Sequence, residues 1–215
     1  MVLVLENEVD PRYRYFGEAL VSHLPGEVTV YDYPAQGGRP ALDGVEAVVI
    51  GGSTAGVYEA DDHPWMDDEK AFILDLVEAR VPTLGVCFGH QLINEALGGR
   101  VEHRGTHAQL ETVDLGDDPL FEGVNDVIPA VHGDFVVERG DGMEVLAAAD
   151  YYENFATRHR EAPVWTVQFH PEFTAELLNA VREDFGWTDT ERSFDDVTAV
   201  KTLANFVSLA GDRQS

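Results

Sequence analysis

The chain has 215 residues, 44% of them apolar, with 20 Gly and 10 Pro, a globular mixture long enough to bury a real core. Forty Asp and Glu stand against 14 Lys and Arg, a formal charge of −26, and Lys70 and Lys201 are the only lysines. Acid spread so evenly along a Lys-poor chain is the pattern of cytosolic proteins that work at high salt. It speaks against a nucleic-acid-binding face and against attraction to anionic lipid.

Short β-rich apolar runs alternate with helical patterns in the first half, which predicts a mostly parallel sheet flanked by helices. The opening MVLVLENEVD has no basic stretch before its apolar run and reads as a buried strand over 2–5, not as a signal peptide. A helix over 13–24 and a strand over 27–33 follow. Ala47–Ile50 reads as a strand running into Gly51-Gly52-Ser53, and 67–79 as an amphipathic helix with Phe72, Leu76 and Ala79 on one face. Thr83–Val86 is a short buried strand, and 88–97 a helix closed by Gly98-Gly99.

Beyond Gly99 the texture changes. Strands are expected around 101–115, 127–138, 143–149 and 164–169 without long helices between them, as a mixed or antiparallel extension of the parallel core. Helices over 174–185 and 194–209 close the chain. No linker or repeat interrupts it, so one domain over 1–215 is expected. No apolar run approaches the roughly 20 residues a membrane span needs, and a single cysteine leaves no internal disulfide. A soluble cytoplasmic protein is the expectation.

The chemistry is concentrated in two segments. Gly85-Val86-Cys87-Phe88-Gly89-His90-Gln91 lies between a predicted strand and a predicted helix, as G-x-C-x-G in the manner of a nucleophile elbow. A lone cysteine is more often a small core side chain. At a strand–helix junction between glycines, however, the helix amino terminus favours the reactive thiolate. Such a nucleophile needs a base, and the base needs an orienting group. Gln168-Phe169-His170-Pro171-Glu172 offers both at the end of an apolar strand: His170 to move the proton, Glu172 to orient its ring, and Pro171 to fix the backbone between them.

Together these two segments resemble the paired signatures of the class I glutamine amidotransferases, in that family's order and spacing and over nearly the whole chain. The resemblance implies a flavodoxin-like α/β fold and hydrolysis of the glutamine side-chain amide through a γ-glutamyl thioester, with no cofactor and no metal. It carries the nucleophile to Cys87, the base to His170 and the third member to Glu172. Gly51-Gly52 after the third strand matches the family's oxyanion loop, with Ser53 where proline is common, and the amide of Phe88 is the second expected donor. Gln91 matches a residue that holds the bound glutamine. Val131-His132-Gly133-Asp134 resembles the family's Ser/Asn-His-Gly-Asp segment, which places Gly133 and Asp134 near the substrate. Val131 replaces a polar residue, which leaves a backbone contact there; His132 and Asp134 suit a structural or interface role better than a catalytic one.

Within the family the likeness is to glutaminase modules of the GMP-synthase type and their freestanding relatives, the latter through the acidic, Trp-containing segment 56–65. No ATP-pyrophosphatase signature is present, so the partners implied are L-glutamine and a separate ATP-dependent synthetase. Three rivals remain open. The same acyl chemistry would serve a hydrolase of other γ-glutamyl amides. His103, His107, His132, Asp134, His170 and Glu172 form a ligand-like inventory, although i, i+4 histidines on a strand stand over ~13 Å apart. A regulatory protein on an inherited fold is the third.

Overall fold

The computed structural model describes residues 1–212. Nine strands form one sheet among them: β1 (Val2–Glu6), β2 (Val28–Asp32), β3 (Ala47–Ile50), β4 (Thr83–Val86), β5 (Arg100–Leu115), β6 (Val127–Glu138), β7 (Met143–Ala149), β8 (Tyr152–His159) and β9 (Val164–Val167). The helices are α1 (Tyr15–His23), α2 (Tyr33–Gln36), α3 (Trp65–Glu78), α4 (Phe88–Ala96), α5 (Leu178–Phe185) and α6 (Lys201–Asp212). The strand order is β2-β1-β3-β4-β9-β8-β7-β5-β6. The first five run parallel, and the remaining four continue the sheet antiparallel. The expected class, a parallel α/β core with a β extension, is what is found.

Period-two alternation sends neighbouring side chains to opposite faces. Val2, Val4, Val49, Leu84 and Val86 pack on one face with Leu20 of α1 and with Leu203 and Phe206 of α6. Leu3, Leu5, Val48 and Ile50 pack on the other with Phe72, Ile73 and Leu76 of α3 and Leu92 and Ile93 of α4. Strands covered on both sides read as unbroken apolar runs, which is why β3 is fully buried.

Three expectations are corrected. β8 was not anticipated, because polar residues break its alternation; Asn154 and Thr157 are nonetheless buried, the first donating to Val136 O at 2.7 Å. The helix expected over 194–209 is two pieces, a single turn at Phe194–Asp196 and then α6, separated by extended backbone at Val197 (φ −80°, ψ 118°). The helix expected from Tyr13 begins at Tyr15, after a turn over Pro11–Tyr13 that Asp10 caps through Arg12 N–H.

Candidate active site

β3, β4 and β9 are adjacent and parallel, so their carboxyl ends meet at one edge of the sheet, where open α/β sheets place ligands. β3 leads into Gly51-Gly52, β4 into Cys87, and β9 into Gln168, Phe169 and His170. Segments far apart in sequence thus converge because the strands beneath them are neighbours.

Cys87 has φ 52° and ψ −103°, a positive-φ conformation that costs a non-glycine residue on the order of 1–3 kcal/mol. Its N–H donates to Val167 O at 2.9 Å and its carbonyl accepts from Gln91 N–H at 3.2 Å, so the turn is tied to β9 on one side and α4 on the other. The flanking glycines are sterically required. A Cβ on Gly89 would lie 2.3 Å from Ile50 O, and one on Gly85 would lie 2.6 Å from Gly89 O. The Cys87 side chain stands at the amino terminus of α4, almost buried, with its sulfur 3.8 Å from Val131 O and 3.7 Å from Gln168 Nε2.

His170 donates Nδ1–H to Glu172 Oε1 at 2.7 Å, with both side chains buried, and its ring packs at 4.3 Å from the ring of Phe16. Burial alone would lower the His170 pKa. The charges of Cys87 and the Glu172 carboxylate beside it outweigh burial and raise the imidazole to about 10. Since Nδ1 is held by Glu172, the nitrogen left for Cys87 is Nε2.

In the expected oxyanion loop the two glycines differ. Gly51 N–H is committed to Leu5 O at 2.9 Å, so Gly51 extends the sheet and its amide is not free for a ligand. At Gly52 a Cβ would stand 3.2 Å from His170 Cε1 and 3.9 Å from Cys87 Cβ, which sets this residue directly against both side chains. Glu8 holds the next part of the loop, accepting from Thr54 N–H at 2.9 Å and Thr54 Oγ1–H at 2.6 Å. Phe88 turns its ring into the core beside Trp65 and is not among the residues lining the cavity.

Gln91, Gly133 and Asp134 are brought to the same place. Gln91 Nε2 lies 3.4 Å from Asp134 O and 3.3 Å from Gln168 Oε1. Asp134 Oδ1 accepts from Tyr58 O–H at 3.1 Å and from His103 Nδ1 at 2.9 Å. His132 is tied to Asp134 O at 3.0 Å and to Tyr151 O–H at 2.9 Å, and burial lowers its pKa to about 3. Gly52, Cys87, Gln91, Gly133, Asp134 and His170 all line one cavity of about 280 Å³. The cavity continues to Tyr58, within the segment 56–65 singled out above, and to Glu6, Glu8, Tyr13, Phe16 and Phe185, which no sequence signal pointed to. Among the described residues no group of three or more His, Cys, Asp or Glu is placed to hold a metal ion. His107, for one, is hydrogen-bonded to Glu111 and stacked on Tyr151.

Residues 15–185 match the family model described as glutamine amidotransferase class-I. One subunit of the glutamine-hydrolyzing GMP synthase of Methanopyrus kandleri is 42% identical over 105 residues, covering 46% of this chain and 56% of that protein. The corresponding GMP synthase subunit of Methanothermobacter thermautotrophicus is 28% identical over 181 residues, covering 80% of this chain and 88% of that one. The chain spans only 25% of the glutamine-hydrolyzing GMP synthase of Pyrobaculum aerophilum, with 36% identity over 137 residues. A glutamine amidotransferase of Thermotoga maritima superposes with a TM-score of 0.73 over 97% of each chain at 17% identity, a likeness of fold. No helix of the described residues is long and apolar enough to cross a membrane.

Proposed function

The chain belongs to the class I glutamine amidotransferases, and on that footing we propose that it is a single-domain glutaminase that hydrolyses glutamine through a Cys87 thioester. The carrying observation is the strained Cys87 facing a buried His170 that is itself held by Glu172. The thiolate attacks the amide carbon, and the carbonyl oxygen takes the negative charge beside the Gly52 and Phe88 amides. His170 Nε2–H protonates the amide nitrogen, the C–N bond breaks, and ammonia leaves a γ-glutamyl thioester. Neutral His170 then takes a proton from water as it attacks the thioester. The second tetrahedral intermediate expels the thiolate, giving glutamate and restoring the imidazolium. Glu172 orients the ring and steadies its positive charge. Gln91, Gly133 and Asp134 hold the amino-acid head group, and Gly51 supports Gly52 from the sheet.

Ammonia release from glutamine tests this, with Cys87→Ala expected to abolish it and a glutamine-like electrophile expected to label Cys87. Full turnover by that variant would end the assignment. We place the use of the ammonia on a separate ATP-dependent synthetase of the GMP-synthase type in the cytoplasm; the Methanopyrus and Methanothermobacter relatives, each named as one subunit of a glutamine-hydrolyzing GMP synthase, support a separate partner. One observation favours a second reading, hydrolysis of other γ-glutamyl amides. The cavity runs past His170 to Tyr13, Phe16 and Phe185, room that a leaving amine larger than ammonia could use. Faster cleavage of γ-glutamyl amines than of glutamine would select it.

A further inference from the structure

Against Cys87 lies a buried polar network whose members Gln168, Tyr152 and His90 are not among the cavity-lining residues and have no role above. Gln168 is fully buried and places Nε2 3.7 Å from Cys87 Sγ. Its Oε1 accepts from Gln91 Nε2 at 3.3 Å and from Tyr152 O–H at 3.4 Å. The orientation of the Gln168 amide follows from its neighbours. Asp134 O is a carbonyl and can only accept, so Gln91 must turn its NH₂ toward it. The same NH₂ then requires an acceptor on Gln168, which fixes Oε1 toward Gln91 and sends Nε2–H to the sulfur.

The network extends deeper in the same sense. Tyr152 Oη accepts from Val136 N–H at 2.8 Å and lies 3.1 Å from His90 Nε2. His90 Nδ1 lies 2.7 Å from Thr166 Oγ1, which in turn is 2.6 Å from Thr157 Oγ1. Burial keeps His90 neutral, lowering its pKa to about 3, so the ring carries one N–H. With that proton on Nε2, Tyr152 receives from His90 and gives its own proton to Gln168, while Thr166 donates to Nδ1. Every donor then points toward Cys87, and none of these side chains has an unpartnered buried atom among the described residues. Hydrogen bonds in a line polarise one another, and one that ends on an anion is strengthened most.

We propose that Gln168 is a thiolate-stabilising donor whose Nε2–H binds Cys87 Sγ, with Tyr152 and His90 as positioning residues that hold its amide in that sense. The inference rests on Cys87 being the nucleophile. It also accounts for a glutamine two residues ahead of His170: β9 is hydrogen-bonded to β4, so a side chain leaving the end of β9 meets the turn at the end of β4.

Alkylation of Cys87 by iodoacetamide across pH reads the thiolate directly and needs no synthetase. Gln168→Met keeps the length of the side chain and removes the donor. Its alkylation profile is expected to move up by about one pH unit; the tenfold smaller thiolate fraction below the midpoint is partly offset by a more nucleophilic thiolate, so the reaction there slows roughly three- to fourfold while the rate at high pH is not lowered. Tyr152→Phe should move the profile the same way by less, and Gln168→Glu, which sets a carboxylate against the sulfur, by more. Coincident wild-type and Gln168→Met profiles, with glutamine hydrolysis still dependent on Cys87, would overturn the inference and leave the nucleophile assignment standing. A loss of equal size at every pH in both Gln168→Met and Tyr152→Phe would also overturn it, as packing damage. Undiminished glutamine turnover by Cys87→Ala would instead remove the nucleophile reading, and the inference with it.

Discussion

Glu69 on α3 is wholly buried in the apolar layer between α3 and the sheet. Its Oε1 accepts from Asn7 Nδ2 at 3.0 Å, while its Oε2, Asn7 Oδ1 and the nearby Tyr33 hydroxyl have no hydrogen-bond partner among the described residues. Burial raises the carboxyl pKa from 4.5 to about 8, with the Asn7 hydrogen bond only partly offsetting it. The folded protein therefore holds a proton that the unfolded chain releases. Stability is unaffected below about pH 4.5, falls as pH rises from there to about 8, and is level beyond. At about 1.4 kcal/mol per pH unit, the loss is on the order of 3 kcal/mol at pH 7 and 5 kcal/mol at pH 9. Glu69→Gln keeps the shape and the Oε1 acceptor, cannot ionise, and brings an NH₂ to a cluster with two unpartnered oxygens. The variant should match the parent near pH 4.5 and exceed it increasingly up to pH 8. Urea unfolding at pH 5, 7 and 9 in constant high salt measures this; with a slope of about 3 kcal/mol per M, the midpoint at pH 7 should rise by about 1 M. A difference between variant and parent that stays flat from pH 5 to 9, or a less stable variant at pH 9, would refute the reasoning.

Two further outcomes follow from charge. Acylation needs His170 as imidazolium, so glutamine hydrolysis should fall as pH rises through about 10, whereas iodoacetamide alkylation of Cys87, which needs only the thiolate, should persist; parallel declines would contradict the ion pair. A net charge of −26 should make folding depend on salt, with the melting temperature rising as KCl is added, and full stability in dilute buffer would exclude the high-salt reading.

Where one rule governed both faces of a strand or one stripe of a helix, the sequence was a sound guide. β3 begins and ends where its apolar run does, because both faces are covered and no polar residue interrupts it, and β4 differs only in opening on the buried Thr83. β8 failed that test for a physical reason. Its interior faces β7 and β9 with Asn154 and Thr157, polar groups satisfied by partners on β6 and β9 that no local window contains. The split of 194–209 was equally hidden, since Val197 from extended backbone and Ala199 from a turn both pack against the core and so mimic a helical stripe.

The candidate site divides along the same line. Cys87, His170 and Glu172 were legible because their spacing is local: glycines two residues either side of the cysteine for clearance, and a carboxylate two residues beyond the histidine for its ring. Gly51 and Gly52 look interchangeable in sequence, and only the pairing of β1 with β3 separates them, by binding the Gly51 amide to Leu5 and leaving Gly52 against Cys87 and His170. Gln168 shows the same limit most sharply. Its side chain reaches the sulfur only because β9 lies against β4, and its amide is oriented only because β8 supplies Tyr152 and α4 supplies Gln91 and His90. The strand that the sequence failed to announce is thus one that orients the group beside Cys87. On the reading proposed above, the reactivity of Cys87 is therefore a property of the sheet order as much as of the elbow around it.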